Sequence, residues 1–215
     1  MLFSIIGRIT YVNDHYFSNQ PKVSSDRKII EVQLVGNTYS LLTDNGVFST
    51  SKIDLGTSVL LSKAPLPPEN GLFLDAGCGW GPIALSLALH SPNAKVFAVD
   101  INERSVNLTK DNAQRLKITN IDTFCADEAL EIFRTKNIKF DLIWSNPPIR
   151  IGKNLFQNFL ITYLSLLSNT GVAYLVIQKN LGADSCIKWL NSEGYLAQKF
   201  ASQKGYRIVE VKKKN

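Results

Sequence analysis

The sequence predicts an α/β fold, with a mostly parallel sheet covered by helices on both faces and an antiparallel hairpin at its C-terminal edge. Three observations predict it. From Leu72 onward, short apolar runs alternate with longer amphipathic stretches, which is the pattern of strand–helix–strand units. The apolar runs are near-continuous, as expected of strands buried on both faces. The last twenty or so residues break the alternation: two strand-like runs flank the turn Ser202-Gln203-Lys204-Gly205.

Taken in order, strands are predicted at residues 72–75, 95–100, 121–125, 140–145 and 172–178. Helices are predicted at 82–90, 103–116, 127–135, 154–167 and 184–190. Pro82 suits a first helical turn, where its missing N–H is no loss. Runs 195–200 and 206–211 form the closing hairpin. Ahead of this core, Ile29-Ile30-Glu31-Val32-Gln33-Leu34 and Thr38-Tyr39-Ser40-Leu41-Leu42 flank Gly36-Asn37, a two-residue turn signal, and read as a β-hairpin. Residues 16–27 are polar and aperiodic and read as a loop. Pro65-Leu66-Pro67-Pro68 is a stiff break. It divides the chain into a small N-terminal β extension (residues 1–65) and a ligand-binding core (66–215).

Bulk properties narrow the function. With 215 residues, 45% hydrophobic and 20% charged, the chain suits one α/β domain with a short extension. No apolar run reaches the roughly 18 residues that span a bilayer, and residues 1–7 lack the charged lead and cleavage site of a signal peptide. The three cysteines are scattered and odd in number, which fits free thiols in a cytoplasmic protein and neither a disulfide frame nor a metal site. A net charge of +6 is compatible with a polyanionic partner such as RNA, although Lys212-Lys213-Lys214 supplies part of it.

Two elements carry chemistry. The first is Asp75-Ala76-Gly77-Cys78-Gly79-Trp80-Gly81, a glycine-rich turn from the first core strand into its helix. Glycines let main-chain atoms approach a ligand closely, and in open α/β sheets the ligand lies at the strands' carboxyl ends. Asp100 ends the next strand about 20 residues on, where a carboxylate can accept both hydroxyls of a ribose. A nicotinamide dinucleotide is disfavoured on two counts. Pro82 stands where its fingerprint has a third glycine, and Asp75 would repel a pyrophosphate. The same Asp75 attracts an ammonium, and S-adenosylmethionine carries one without any phosphate. Ile101 is placed as an apolar wall for an adenine. Asp127, after the third core strand, suits an acceptor for the adenine amine, a helix N-cap, or both together. Cys78 is read as a small residue in a crowded turn and not as a nucleophile.

The second element is Asn146-Pro147-Pro148-Ile149, which closes the strand 140–145. The Asn146 side-chain oxygen and the Pro147 carbonyl are two acceptors on a backbone stiffened by proline. They suit a planar amine whose nitrogen must pyramidalise before its lone pair can attack a methyl group.

Together with Gly46-Val47-Phe48-Ser49, Asp54-Leu55-Gly56-Thr57 and Arg150-x-Gly152-Lys153, these motifs resemble the small-domain methyltransferase family over residues 15–212. The resemblance implies a Rossmann-like, seven-stranded methyltransferase sheet with S-adenosylmethionine as cofactor. It implies cofactor contacts from Asp75, Gly77, Cys78, Gly79, Gly81, Asp100, Ile101, Asp127 and Asn146, and amine-holding by Asn146 and Pro147. Family members include bacterial enzymes that methylate the N2 amine of a guanine in 16S ribosomal RNA, so rRNA or the small ribosomal subunit is the expected partner. Substrate contacts are expected from Phe48, Lys52, Pro148, Ile149, Arg150 and Lys153. Ile149 stands where many amine methyltransferases have an aromatic, so a stacking surface must come from elsewhere, such as Phe48 or Trp80, or the target must be held otherwise. From sequence alone, Phe48 and Trp144 read as core aromatics, Arg150 and Lys153 equally as solvated loop charges, and His15 and His90 as surface or packing residues. Two other functions remain open: methylation of a protein glutamine amide, and a non-catalytic RNA-binding assembly factor on the same fold.

Overall fold

A computed structural model describes residues 23–214. The expectations for residues 1–7, His15 and 16–22 lie outside the described residues.

Strands β1 (Lys28–Leu34) and β2 (Asn37–Thr43) form an antiparallel hairpin of their own. Leu34 pairs with Asn37, so the turn is Val35-Gly36, one residue earlier than the sequence suggests. Both turn residues have positive φ (50° and 77°), the twist a two-residue hairpin requires. Register won over residue preference here, because it points Val32, Leu34 and Leu41 inward.

Helix α1 (Leu55–Lys63) then follows, an element not anticipated from the sequence. It begins at Asp54, whose side chain accepts from the Gly56 and Thr57 N–H groups, and it stops just before Pro65.

The core alternates as expected: β3 (Leu72–Ala76), α2 (Pro82–His90), β4 (Lys95–Asp100), α3 (Glu103–Arg115), β5 (Ile121–Cys125), α4 (Ala126–Thr135), β6 (Phe140–Ser145), α5 (Lys153–Leu164), β7 (Leu167–Gln178), α6 (Ala183–Ser192), β8 (Tyr195–Gln203) and β9 (Tyr206–Lys213). Helix α5 ends earlier than its apolar periodicity suggests. Leu166 and Leu167 are drawn into the sheet, the former accepting from Phe140 N at 2.8 Å and the latter pairing with Phe140.

The seven strands run in the order β5-β4-β3-β6-β7-β9-β8, with β9 and β8 antiparallel additions at one edge. One face packs on α4, α5 and α6 through residues such as Phe133, Phe156, Leu160 and Leu190. The other packs on α1 and α2 through Val59, Leu60, Ile83 and Leu87. Alternate strand residues feed both clusters, Leu74 and Val99 on one side, Phe73 and Val96 on the other, which explains the unbroken apolar strings.

The hairpin covers α2 and α3 through a third cluster that includes Leu41, Trp80 and Leu108. Buried Asn112 of α3 stitches it in place. Its Oδ1 accepts from Leu42 N at 2.7 Å, and its Nδ2 donates to Leu42 O and Trp80 O, both at 2.9 Å. The strand order reverses between β3 and β6, so a cleft opens at their carboxyl ends.

Candidate active site

The turn after β3 is shaped by backbone contacts. Gly77 N and Cys78 N both donate to Val99 O, at 2.8 and 3.0 Å, folding the turn over β4. Gly81 caps α2 with φ of 100°, and a Cβ there would lie 3.0 Å from Thr109, so only glycine fits without displacement. Gly79, also at positive φ, has open space where a Cβ would stand.

Asp75 is fully buried beneath this turn. Its Oδ2 accepts from Ala84 N at 2.9 Å and so caps α2 in place of the missing Gly81 side chain. Its Oδ1 is buried with no partner among the described residues. Burial, aided by the nearby Asp100 charge, pushes the Asp75 carboxyl well above the usual carboxylate range. An orphaned buried acceptor of this kind calls for a donor or a cation.

Asp100 accepts from Gly79 N through Oδ2 and from Asn102 N through Oδ1, each at 2.9 Å. Each oxygen keeps a second lone pair, enough for two ligand hydroxyls. Burial raises the Asp100 carboxyl against the lowering effect of these hydrogen bonds. Ile101 beside it is half-buried.

Asp127 is not the N-cap of α4. That position is Cys125, and Asp127 lies exposed in the first turn, where its negative charge complements the helix dipole. Cys78 is buried and its thiol is pushed well up, chiefly by burial and then by Asp100 and Asp75, so it carries no thiolate chemistry.

Across the switch point, Ser145 Oγ donates to Ala76 O at 2.6 Å, locking the end of β6 to the end of β3. Asn146 follows directly. Its Nδ2 donates to Asp54 Oδ2 at 2.9 Å and to Thr57 Oγ1 at 3.1 Å. Pro147 is buried, and one lone pair of its carbonyl already accepts Ile149 N at 2.8 Å, leaving the other. Pro148 and Ile149 are half-buried behind the cup.

The cleft is walled by Phe48, Ser49, Asp54, Thr57, Gly77, Cys78, Gly79, Trp80, Pro82, Ile83 and Asn146. It therefore brings the glycine turn, the asparagine and the segment before α1 together. Phe48 is 52% exposed, not the core aromatic expected from sequence, and Trp80 is the buried one at 1%. Trp80 instead anchors the Phe48 segment, donating from Nε1 to Ser49 O at 3.0 Å. Asn102 adds a second tether, with Nδ2 to Gly46 O at 2.8 Å. Trp144 is buried in the core, as read.

Lys52, Arg150 and Lys153 are exposed and lie outside the cleft wall. Sequence reasoning missed the contacts of Asp54 and Thr57 with Asn146, and also Tyr206. The Tyr206 ring packs on Gly56, where a Cβ would come within 3.0 Å of it. Burial and the Asp54 charge raise its hydroxyl, with Arg150 acting in the opposite sense. The pattern Asp54-x-Gly56-Thr57, an N-cap with a glycine where an aromatic crosses, was the available signal. Among the described residues there is no cluster of metal-ligating side chains, and no helix is long and apolar enough to cross a membrane.

Residues 38–210 match the methyltransferase small domain. The Bacillus subtilis (strain 168) uncharacterized protein YbxB is 33% identical over 202 residues, 94% of this chain and all of that protein. Ribosomal RNA small subunit methyltransferase C of Pseudoalteromonas translucida is 36% identical over 177 residues, which covers 80% of this chain and 48% of the relative. The chain thus spans about half the length of that relative. Among solved structures, the Thermus thermophilus 16S rRNA N2 G1207 methyltransferase, in complex with AdoMet and guanosine, superposes with a TM-score of 0.71. At 24% identity, over 90% of this chain and 52% of that one, the likeness shows a shared fold. On the match across residues 38–210, the chain belongs to the methyltransferase small-domain family.

Proposed function

We propose that the protein is an S-adenosylmethionine-dependent N-methyltransferase acting on the exocyclic N2 amine of a guanine in 16S ribosomal RNA. The observation that carries this reading is Asn146 at the switch point, locked beside the glycine turn and facing a cleft that Phe48 also lines. Support also comes from the rRNA methyltransferase C relatives and from the T. thermophilus enzyme, whose complex holds both AdoMet and guanosine.

The residues fit the cofactor. The unpartnered Asp75 Oδ1 suits its ammonium, directly or through a water, and the free lone pairs of Asp100 suit its ribose. Gly77, Cys78, Gly79 and Gly81 line the main-chain side, with Ile101 and Asp127 toward the adenine. When bound, the cofactor supplies an electrophilic methyl group on a sulfonium.

The chain's own contribution is to hold the nucleophile. Asn146 Oδ1 and the second lone pair of Pro147 O accept the two amine hydrogens, turning the nitrogen lone pair toward the methyl carbon. Positive charge would develop on that nitrogen as it took up the methyl group, and the two fixed oxygens would stabilise it. Asn146 takes no proton, so the proton departs to solvent. Phe48 offers its exposed ring as a stacking surface for the base, standing in for the aromatic replaced by Ile149. Lys52, Arg150 and Lys153 meet RNA phosphates around the mouth. A ribosomal substrate and three free thiols suit a cytoplasmic enzyme.

Nucleoside mass spectrometry of 16S rRNA from cells with and without the gene tests this reading. Loss of N2-methylguanosine at one position, restored by the purified protein with cofactor, is the expected result. Unchanged RNA with a glutamine methyl group lost from a protein would move the assignment to the amide substrate. RNA binding without any methyl transfer would leave an assembly factor.

A further inference from the structure

We propose that Asp54 is a positioning residue for Asn146, setting the polarity of its carboxamide so that an acceptor, not a donor, faces the substrate amine. The inference rests on the reading of Asn146 as the amine-holding residue.

Asp54 Oδ2 is a meeting point of three N–H donors: Gly56 N at 2.8 Å, Thr57 N at 3.2 Å and Asn146 Nδ2 at 2.9 Å. A carboxylate only accepts, so the Asn146 atom facing it must be the NH2 group. Thr57 Oγ1 at 3.1 Å takes the second hydrogen of that NH2 and leaves it fully occupied. The amide is planar, so with nitrogen held against α1 the oxygen is turned away from Asp54 and Thr57. A flipped amide would press Oδ1 against the carboxylate and present NH2 to the cleft, setting donor against donor at the substrate.

Without Asp54, Thr57 could not hold that choice, because a hydroxyl accepts and donates with equal ease. The carboxylate is itself fixed, since the same oxygen caps α1, and α1 packs on the sheet through Val59 and Leu60. The amide's orientation is therefore inherited from the N-terminus of a helix 92 residues earlier in the chain.

Asp54→Ser separates this role from helix capping, because serine caps well but is too short to reach Asn146. The expected result is a fall in kcat of about 10- to 100-fold, with cofactor KM and melting temperature near those of the parent. Asp54→Asn supplies the rescue. Its side-chain oxygen can take the place of Oδ2, cap α1 and still accept from Asn146 Nδ2, because one atom does both in the parent. The amide polarity is then kept, and D54N should exceed D54S in kcat by about tenfold.

A readout free of activity is the 15N side-chain amide signal of Asn146. Its two hydrogens should exchange slowly with solvent in the parent and rapidly in D54S. Parent-like kcat and slow amide exchange in D54S, or a D54N variant no better than D54S, would overturn the proposal. Full kcat in Asn146→Ala would instead remove the functional reading while the amide signal still decides the role of Asp54.

Discussion

The two halves of the cleft are made in opposite ways. On the flank of β3, β4 and β5, the groups that suit a cofactor come, Asp127 apart, from one stretch, residues 75–102, and most of the work is done by main chain. Gly77, Cys78 and Gly79 donate backbone N–H groups to Val99 and Asp100, and Asp75 is spent partly on capping α2. On the flank of β6, the groups that suit a substrate are side chains gathered from afar, with Asn146 held by Asp54 and Thr57 and Phe48 held by way of Trp80 and Asn102. The first half presents a ligand with charge and close backbone. The second presents it with directed polar atoms and an exposed ring.

On this division, substitutions on the two flanks should separate binding from turnover. The largest effect belongs to Asn146→Ala. It should lower kcat by about 10²–10³-fold while cofactor affinity stays within a few-fold, checked by single-turnover methyl transfer and by calorimetry. Loss of cofactor binding in that variant would mean the halves are not separate.

Asp100→Ala should do the reverse. Losing one or two charge-assisted hydrogen bonds to ribose weakens the cofactor by about tenfold to a hundredfold, again read by calorimetry, with kcat at saturation little changed. Phe48→Ala should raise KM for RNA by roughly tenfold, since stacking on an aromatic is worth about 1–3 kcal/mol per base. Because the ring is half-exposed, its melting temperature should hold.

The smallest effect is a proton. Asp75 has a raised carboxyl in the free protein, and an ammonium beside it favours the ionised form. Cofactor binding should therefore release protons, and affinity should climb as pH rises toward the raised value of the free protein. Calorimetry in buffers of different ionisation heat measures this, and Asp75→Asn should abolish it. The same shift has the opposite sign for folding. The unfolded chain ionises first, so this group costs stability as pH rises from the ordinary carboxylate range toward the raised folded value.

The contrast also explains what could be read in advance. The core strands and helices were legible because a two-faced sheet demands continuous apolar strings separated by amphipathic helices, and those periods are local. The glycine turn was legible for the same reason: three glycines at positive φ, Gly77, Gly79 and Gly81, fall within seven consecutive residues. Helix α1 was not legible. It buries Val59 and Leu60 while Leu55 is exposed, so its apolar residues trace no single stripe. The exchange of roles between Phe48 and Trp80 was hidden too, because either aromatic could have filled the third cluster, and only the packed hairpin selects the tryptophan.

By itself, the sequence determined the strand–helix alternation, the acceptor at Asn146, the carboxylates at Asp75 and Asp100, and the glycines that let backbone line a ligand. These follow from spacing along the chain, which acts through local geometry. Only the tertiary structure decided that Asp54 grips the asparagine amide, that Asp75 keeps one oxygen without a partner among the described residues, and that Phe48 stays exposed. Each of those depends on which distant groups share a few ångströms of space, and hydrogen bonding and burial are settled by that distance and not by position in the chain.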